Sequence, residues 1–357
     1  MRVVLAGLGG WGRAWTRVLS VAEGVELVAI ADPSAQAREW AVRDLGAPAT
    51  QVYDSLEAGL ARTPCEAVIV ATPMWTHASA VQLALRAGKH VLCEKPFTTS
   101  LGEARGLVEL AAREGLVLAV GQNYRFRRPP QAVRQILREG ALGNLLSVKL
   151  YAQRDTRRFW QPDDFRYRIP HFYLLDFAVH HLDLLRAVTG QNVCEVFSRG
   201  VRVPDSHYHH NAAGVTVLEL EQGAIVTYES SYACYGSETA WSGEWDFVGE
   251  AGRLLWRGGV SDPNTGEITL EPWGEQPQIV PLPEVEASDS AEVLQQFAKA
   301  VRTGVAPETS GADNLHTLAA VFSCIESVET GRVVRPADLL QAASHEALSA
   351  TTDTAVS

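Results

Sequence analysis

The sequence of 357 residues lacks the marks of several classes of protein. It contains no apolar run long enough to cross a bilayer, and no long basic run of the kind that binds nucleic acid. Its formal net charge of −11 also argues against a nucleic-acid partner. We expect no secretory leader, because the first apolar segment has the pattern of a strand, and the five cysteines are scattered, without a C-x-x-C pair. We therefore expect a cytoplasmic protein with free thiols and with neither membrane nor nucleic acid as partner.

The segment from Arg2 to Gly12 carries the strongest signal in the chain. An apolar run leads into Gly7-x-Gly9-x-x-Gly12, a helical pattern follows, and a second apolar run ends at Asp32. Gly7 permits a tight turn, Gly9 lets backbone N–H groups approach a pyrophosphate, and Gly12 allows close helix packing. Strand, glycines, helix, strand and acid in this order predict a dinucleotide site at a helix N-terminus.

Asp32 indicates which dinucleotide is bound. A carboxylate there accepts hydrogen bonds from ribose hydroxyls and repels a 2′-phosphate, so NAD is favoured over NADP. The helical pattern also places Trp11 and Trp15 together on one apolar face. We expect the cofactor contacts of this segment to come from Gly7, Leu8, Gly9, Gly10, Trp11, Gly12 and Asp32.

Two hydrophobic patterns divide the chain. Strand-like and helix-like segments alternate through about residue 121, which predicts a doubly wound parallel sheet. From Leu145 onward, alternation at period two predicts a largely antiparallel sheet, with helices over residues 171–189, 290–302 and 313–330. The expected fold class is therefore α/β, with an N-terminal Rossmann domain over residues 1–122 and a C-terminal α+β domain over 123–340. The remaining residues, 341–357, are expected to form a frayed tail.

Three residues outside the glycine segment are candidates for chemistry. Asp176 and His180 lie four residues apart in an almost wholly apolar helix, and so share one face. They form either a structural pair or a general base, His180, beside a carboxylate that orients it or the substrate. Lys95 follows a strand, where its ammonium is either a solvated charge or a donor to a substrate hydroxyl.

Several short motifs occur together along the chain. They are Gly7-x-Gly9-x-x-Gly12, Ala71-Thr72-Pro73 with His77, Glu94-Lys95-Pro96, Gly121-Gln-Asn-Tyr-Arg125-Phe126, Asp176-x-x-x-His180-x-x-Asp183 and Gly311-Ala-Asp313-Asn-Leu315. In this combination the sequence resembles the Gfo/Idh/MocA oxidoreductase family, which includes glucose–fructose oxidoreductase and inositol dehydrogenase. The resemblance covers nearly the whole chain to about residue 335.

The resemblance implies roles for individual residues. It implies that Lys95, Asp176 and His180 are catalytic. It implies a nicotinamide end lined by Thr72, Pro73, His77, Glu94 and Gln122, and Lys95 is a further expected cofactor contact. We expect substrate contacts from Lys95, Tyr124, Arg154, Asp176 and His180. It further implies a large open C-terminal sheet, which often mediates contacts in dimers or tetramers, so a homodimer or homotetramer is expected.

The resulting hypothesis is an NAD-dependent dehydrogenase that moves a hydride between a secondary hydroxyl of a sugar or cyclic polyol and the nicotinamide. Either Lys95 or His180 is the formal base. One alternative is elimination or glycoside cleavage through transient oxidation, and another is a non-catalytic, cofactor-sensing binding protein. Met74, bulky residues at 171–173 and Ala178 depart from the family pattern, so we expect a reshaped substrate pocket.

Three further clusters carry weaker signals. The histidines of His207-Tyr-His209-His210 lack carboxylate or thiol partners at ligand spacing, so no metal site is expected. The group from Arg154 to Trp160 either binds an acidic or sugar substrate or forms a loop that contacts a neighbouring subunit. Tyr232, Tyr235 and Trp241 are expected to pack in the core or at an interface.

Overall fold

The chain divides into two compact units. The computed structural model describes the backbone of residues 1–353 and the side chains of residues 1–344. The first unit comprises Met1–Asn123, Ser290–Leu315 and, of the described chain, residues 343–353. The second unit comprises Tyr124–Asp289 and His316–Ala342.

The first unit is built on a six-stranded parallel sheet. Its strands are β1 (Arg2–Ala6), β2 (Glu26–Ala31), β3 (Val52–Tyr53), β4 (Ala67–Val70), β5 (His90–Cys93) and β6 (Leu118–Val120). The helices between them are α1 (Gly10–Val21), α2 (Ala35–Arg43), α3 (Leu56–Arg62), α4 (His77–Arg86) and α5 (Leu101–Arg113). The strand order is β3-β2-β1-β4-β5-β6, which confirms the predicted doubly wound sheet. The order reverses between β1 and β4, where such sheets bind ligands outside their carboxyl ends.

Local sequence explains where these helices begin. Ser34, Ser55 and Ser100 each accept a hydrogen bond from the backbone N–H three residues later, and so cap α2, α3 and α5. The strands between them are continuous apolar runs because both faces of the sheet are covered. All four residues of β4 are fully buried, as a central parallel strand requires.

The second unit is built on an eight-stranded sheet. Its strands are β7 (Leu145–Gln153), β8 (Val193–Val201), β9 (Ala213–Leu220), β10 (Ile225–Ser231), β11 (Glu244–Gly249), β12 (Gly252–Gly258), β13 (Gly266–Pro272) and β14 (Gln278–Ile279). Their order is β14-β13-β12-β11-β7-β10-β9-β8. Neighbouring strands are antiparallel except β7 and β10, which confirms the prediction of a mostly antiparallel sheet. Trp245, Phe247 and Trp256 stack on its buried face.

The predicted single α-helix over residues 171–189 is wrong in its first half. Two helices of this unit are α6 (Arg128–Arg138) and α7 (Val179–Thr189), and a π-helical segment, Tyr173–Ala178, leads directly into α7. A π-turn holds more residues than an α-turn, so Asp176 and His180 do not have simple α-helical spacing. The sequence pattern did not show this, because nearly every position there is apolar and no period stands out.

The last three helices are α8 (Asp289–Thr303), α9 (Gly311–Thr330) and α10 (Pro336–Asp353). Residues 290–315 group with the first unit, whereas the sequence pattern had placed the helix over 290–302 in the second domain. The physical reason is edge pairing: Val120 N–H donates to the Thr309 carbonyl (2.8 Å), and Ala119 bridges Ser310 beside β6. Within the predicted tail, α10 continues to Asp353, and residues 354–357 lie outside the described part of the chain. Among the described helices, none is long and apolar enough to span a membrane.

Candidate functional site

The glycine segment forms a tight turn between β1 and α1. Gly7 has φ +97°, and a Cβ there would lie 2.5 Å from the Ala71 carbonyl oxygen. A Cβ on Gly12 would collide with the carbonyl of Gly7, so the helix approaches the strand as closely as the backbone allows. At Gly9 and Gly10 a Cβ would meet no atom of the described chain within 4 Å. These two glycines therefore leave space for a ligand at the N-terminus of α1.

Asp32 is tied to the same turn. Its carboxylate accepts hydrogen bonds from the Leu8 N–H at 2.7 Å and from the Ser34 N–H at 2.8 Å. The two bonds fix the carboxylate beside the glycine segment, and each oxygen keeps a lone pair for a further donor. This geometry fits recognition of two neighbouring ribose hydroxyls.

Lys95 lies just after β5, buried among residues of the first unit. Its backbone N–H donates to Glu94 Oε2 at 3.1 Å, and Glu94 Oε1 accepts from the indole N–H of Trp15 at 2.7 Å. The Lys95 ammonium lies 5.7 Å from the ring centroid of Trp11. The ammonium therefore lies near the indole of Trp11, a residue of the first turn of α1.

Trp11 and Trp15, which the sequence pattern places on one apolar face, differ in burial. It is 48% exposed, whereas Trp15 is 2% exposed. Trp11 lies in the first turn of α1, and the buried residues of that helix are Gly12, Trp15, Thr16 and Leu19. The exposed indole forms part of the surface around Lys95.

His77 ties together two loops at the strand ends. Its Nδ1 lies 2.8 Å from the Pro96 carbonyl oxygen and its Nε2 lies 2.9 Å from that of Thr72. Burial lowers the pKa of His77, and this effect exceeds the opposite effect of the two carbonyl acceptors. A neutral imidazole carries one N–H, so the ring donates a hydrogen bond to one of these two carbonyls and packs against the other.

Gln122 provides a test of whether a dinucleotide fits this edge of the sheet. Its side chain is 1% exposed, and neither the amide nitrogen nor the amide oxygen has a hydrogen-bond partner within the described residues. A buried, unpaired primary amide costs free energy unless a ligand pairs with it. A nicotinamide cofactor carries both donors and acceptors, so the free amide and the open glycine turn both fit NAD.

In the second unit, Asp176 is held by a tyrosine that directly follows strand β10. The hydroxyl of Tyr232 donates a hydrogen bond to Asp176 Oδ2 at 2.8 Å. Burial raises the pKa of Tyr232 well above its ordinary value, so its hydroxyl stays protonated and remains a donor. Sequence reasoning had assigned Tyr232 to packing, because no local pattern relates it to a residue 56 positions away.

His180 is buried in the first turn of α7. Its imidazole stacks on the ring of Tyr124, with centroids 3.9 Å apart and planes 5° apart. Three residues further along α7, Asp183 pairs with Arg125, whose Nε donates to Asp183 Oδ2 at 2.9 Å. The structure thus brings Tyr124 together with His180, and Arg125 together with Asp183.

Arg154 lies in the same unit and is 5% exposed. Its guanidinium lies 3.2 Å from Glu238, donates to the Thr239 carbonyl at 2.9 Å, and stacks 4.3 Å from the ring centroid of Trp241. Its charge is therefore balanced within the second unit. The predicted role of Arg154 in substrate binding stays a prediction.

Comparison with known proteins identifies the family. Residues 1–122 match the model described as "Oxidoreductase family, NAD-binding Rossmann fold", and residues 131–255 match the GFO/IDH/MocA C-terminal domain. The chain belongs to the Gfo/Idh/MocA oxidoreductase family. The resemblance seen in the sequence motifs is confirmed.

Individual relatives of this Gfo/Idh/MocA oxidoreductase cover most of its length. A dTDP-3,4-didehydro-2,6-dideoxy-alpha-D-glucose 3-reductase of Streptomyces violaceoruber is 30% identical, over 87% of each chain. A D-apiose dehydrogenase of Paraburkholderia graminis is 28% identical, over 92% of this chain and 88% of its own. The fold also matches an inositol dehydrogenase homologue from Azotobacter vinelandii, solved with NADH and myo-inositol. For this match the TM-score is 0.80 and the identity 23%, with coverage of 94% and 97% of the two chains.

The histidine-rich segment of this family member is held by packing. Tyr208 is buried, with its hydroxyl 3.0 Å from Thr156 Oγ1, and the His209 N–H donates to the Tyr167 carbonyl at 2.9 Å. Across residues 1–344, no group of three or more His, Cys, Asp or Glu side chains is arranged to hold a metal ion. The segment thus places the Tyr208 side chain in contact with the loop that contains Thr156.

His181, next to His180 in this oxidoreductase, is structural. Its Nδ1 lies 2.7 Å from the Tyr228 hydroxyl and its Nε2 lies 2.9 Å from the Trp241 carbonyl oxygen. Burial raises the pKa of Tyr228 and lowers the pKa of His181 to about 4. A neutral ring that accepts from Tyr228 and donates to Trp241 satisfies all three groups.

We expect His181 to weaken the fold at acidic pH. Its pKa is lower in the folded state than in the unfolded chain, so the unfolded state binds the extra proton as pH falls below about 6.5. The free energy of unfolding should fall by about 3 kcal/mol in total between pH 6.5 and pH 4 from this group. Urea unfolding across that range measures it.

The matching controls are His181→Phe and His210→Gln. His181→Phe removes the titrating group, so its stability should depend less on pH even if its stability at pH 7.5 is lower. His210 is exposed, and His210→Gln should retain the wild-type pH dependence. An unchanged pH dependence in His181→Phe would contradict the assignment.

Proposed function

We propose that the protein is an NAD-dependent dehydrogenase that acts on a secondary hydroxyl of a sugar or cyclic polyol. The observation that carries the proposal is the buried Lys95, whose ammonium lies near the indole of Trp11, a residue of the segment whose glycine turn fits the dinucleotide. Relatives named for D-apiose and for a dTDP-linked deoxysugar, and a homologue solved with myo-inositol, support the substrate class. NAD⁺, when bound, supplies the hydride acceptor.

In this proposal, side chains of the protein remove the proton of the substrate hydroxyl and stabilise the charge that develops on its oxygen. His180 or Lys95 removes the proton, and the other residue donates a hydrogen bond to the same oxygen. Asp176 orients the substrate or the base, and Tyr232 holds the Asp176 carboxylate in place. Thr72, Pro73, His77, Glu94 and Gln122 are proposed to line the nicotinamide end.

Asp32 is proposed to select NAD⁺ over NADP⁺. Asp32→Ala removes a charged hydrogen-bond acceptor, so NAD⁺ should bind about 10- to 100-fold more weakly, with a smaller loss or a gain for NADP⁺. A screen of sugars and inositols with both cofactors, read as absorbance of the reduced cofactor, measures substrate class and selectivity together. Asp44→Ala, a surface carboxylate in the same unit, is the matched control.

Each outcome of the screen has a distinct meaning. Equal use of NADP⁺ by the wild-type enzyme would contradict the role given to Asp32. Product formation without net reduced cofactor would instead indicate transient oxidation followed by elimination or cleavage. Absence of turnover on every polyol would contradict the dehydrogenase proposal.

We also propose that the protein forms a homodimer or homotetramer through the sheet of the second unit. Buried and exposed side chains alternate along β7, β9 and β10, and the exposed ones include Tyr151, Val215, Val217 and Ile225. An exposed apolar sheet face of this kind supports an interaction surface. The five cysteines are free, which agrees with the cytoplasmic location that we propose.

A further inference from the structure

The ring of Tyr124 is enclosed between two other groups of the second unit. The His180 imidazole lies parallel to it at a centroid distance of 3.9 Å, and the Arg127 guanidinium carbon lies 3.4 Å from the same centroid. Two groups so close to one centroid would overlap if they shared a face. His180 and Arg127 therefore lie on opposite faces of Tyr124.

Both ends of this stack are anchored. Arg127 is 6% exposed, and its Nε donates to Asp289 Oδ2 at 2.7 Å. At the other end of the stack, His180 belongs to α7. One turn further along α7, Asp183 pairs with Arg125, the residue that follows Tyr124. The segment from Tyr124 to Arg127 thus holds α7 at two points and presses one aromatic ring against the imidazole.

We propose that Tyr124 is the positioning residue for His180, rather than a residue that contacts substrate. The inference rests on the proposed function, in which His180 manages the hydroxyl proton. The χ2 torsion of histidine has a broad energy minimum, so the direction of its ring nitrogens is set by what packs against the ring. A parallel aromatic neighbour fixes the plane of the imidazole, and proton transfer depends on that alignment.

Two substitutions separate the ring of Tyr124 from its hydroxyl. Tyr124→Phe keeps the stack, so kcat should stay within about threefold of wild type. Tyr124→Leu removes the aromatic face, so kcat should fall by about 10- to 100-fold, with little change in KM for NAD⁺. Phe126→Leu is the matched control: it shortens another buried aromatic side chain of the same turn and should leave kcat within about threefold.

Proton NMR gives a readout that does not depend on turnover. The ring current of Tyr124 should move the His180 ring-proton resonance upfield in the wild type and in Tyr124→Phe. That shift should disappear in Tyr124→Leu, and the His180→Gln spectrum assigns the resonance. If Tyr124→Leu fails to fold, Arg127→Met, which removes the anchor behind Tyr124, should reduce both the shift and kcat.

The outcomes separate this inference from the proposed function. Wild-type kcat in Tyr124→Leu, with an inactive His180→Ala, would overturn the positioning role and leave the dehydrogenase proposal intact. Equal losses in Tyr124→Phe and Tyr124→Leu would show that the hydroxyl itself acts, and would also overturn it. Full activity of His180→Ala would contradict the proposed function instead.

Discussion

Replacing Lys95 with alanine is expected to lower kcat by about 10²- to 10⁴-fold, the usual contribution of a positioned proton-transfer group. The same loss is expected for His180→Ala. Both residues are buried, and in the proposed mechanism both act on one hydroxyl, so losing either leaves the developing charge on oxygen without its partner. Binding of NAD⁺, measured by calorimetry, should remain close to wild type, because the glycine turn and Asp32 are unchanged.

A second lysine offers a matched control for Lys95. Lys89 directly precedes β5, whereas Lys95 lies after the other end of that strand. The Lys89 ammonium donates a hydrogen bond to the Cys65 carbonyl at 2.9 Å. Lys89→Gln should therefore retain wild-type kcat. Wild-type turnover in both Lys95→Ala and His180→Ala would show that the catalytic assignment is wrong.

Removing one member of the pair between Arg125 and Asp183 is expected to lower the free energy of unfolding by about 3–5 kcal/mol. The Arg125 and Asp183 side chains are 4% and 1% exposed, and they form two hydrogen bonds with each other. Asp183 also accepts from Thr317 Oγ1 at 3.2 Å. Asp183→Leu leaves a buried guanidinium without its carboxylate, and urea unfolding at neutral pH measures the cost.

Two comparisons test the cause of that loss. The double variant Arg125→Met with Asp183→Leu removes both charges, and should be markedly more stable than Asp183→Leu alone. The pair of Glu195 and Arg335, whose side chains are 36% and 64% exposed, should contribute less than about 1 kcal/mol, so Arg335→Ala is the surface control. Equal losses in the buried and exposed variants would contradict this explanation.

Local sequence was enough to predict the parallel sheet of the first unit and its glycine turn. The glycines, the apolar strands and Asp32 lie within 32 residues, and each requires a particular backbone conformation or burial. The structure therefore agrees with the predicted parallel sheet and places Asp32 beside the glycine turn. The apolar face predicted for α1 is only partly buried, because Trp11 on that face is 48% exposed.

The surroundings of Asp176 and His180 could not be predicted in the same way. The chain contains nine tyrosines, and the sequence offers no rule for which of them would meet a residue 56 positions away. The π-helical segment could not be predicted either. A continuous apolar run has no period that distinguishes an α-helix, with 3.6 residues per turn, from a π-helix, with a wider turn. Contacts of this kind arise from packing between elements that are distant in the chain.

The sequence by itself determined the family, the dinucleotide turn and the residue types of the candidate site, because each of these is written in short motifs of fixed spacing. Tertiary structure alone decided that Tyr232 holds Asp176, that Tyr124 stacks on His180, and that residues 290–315 complete the edge of the first unit. The physical reason is that short motifs fix backbone geometry locally, whereas side-chain partners depend on which surfaces the folded chain brings into contact.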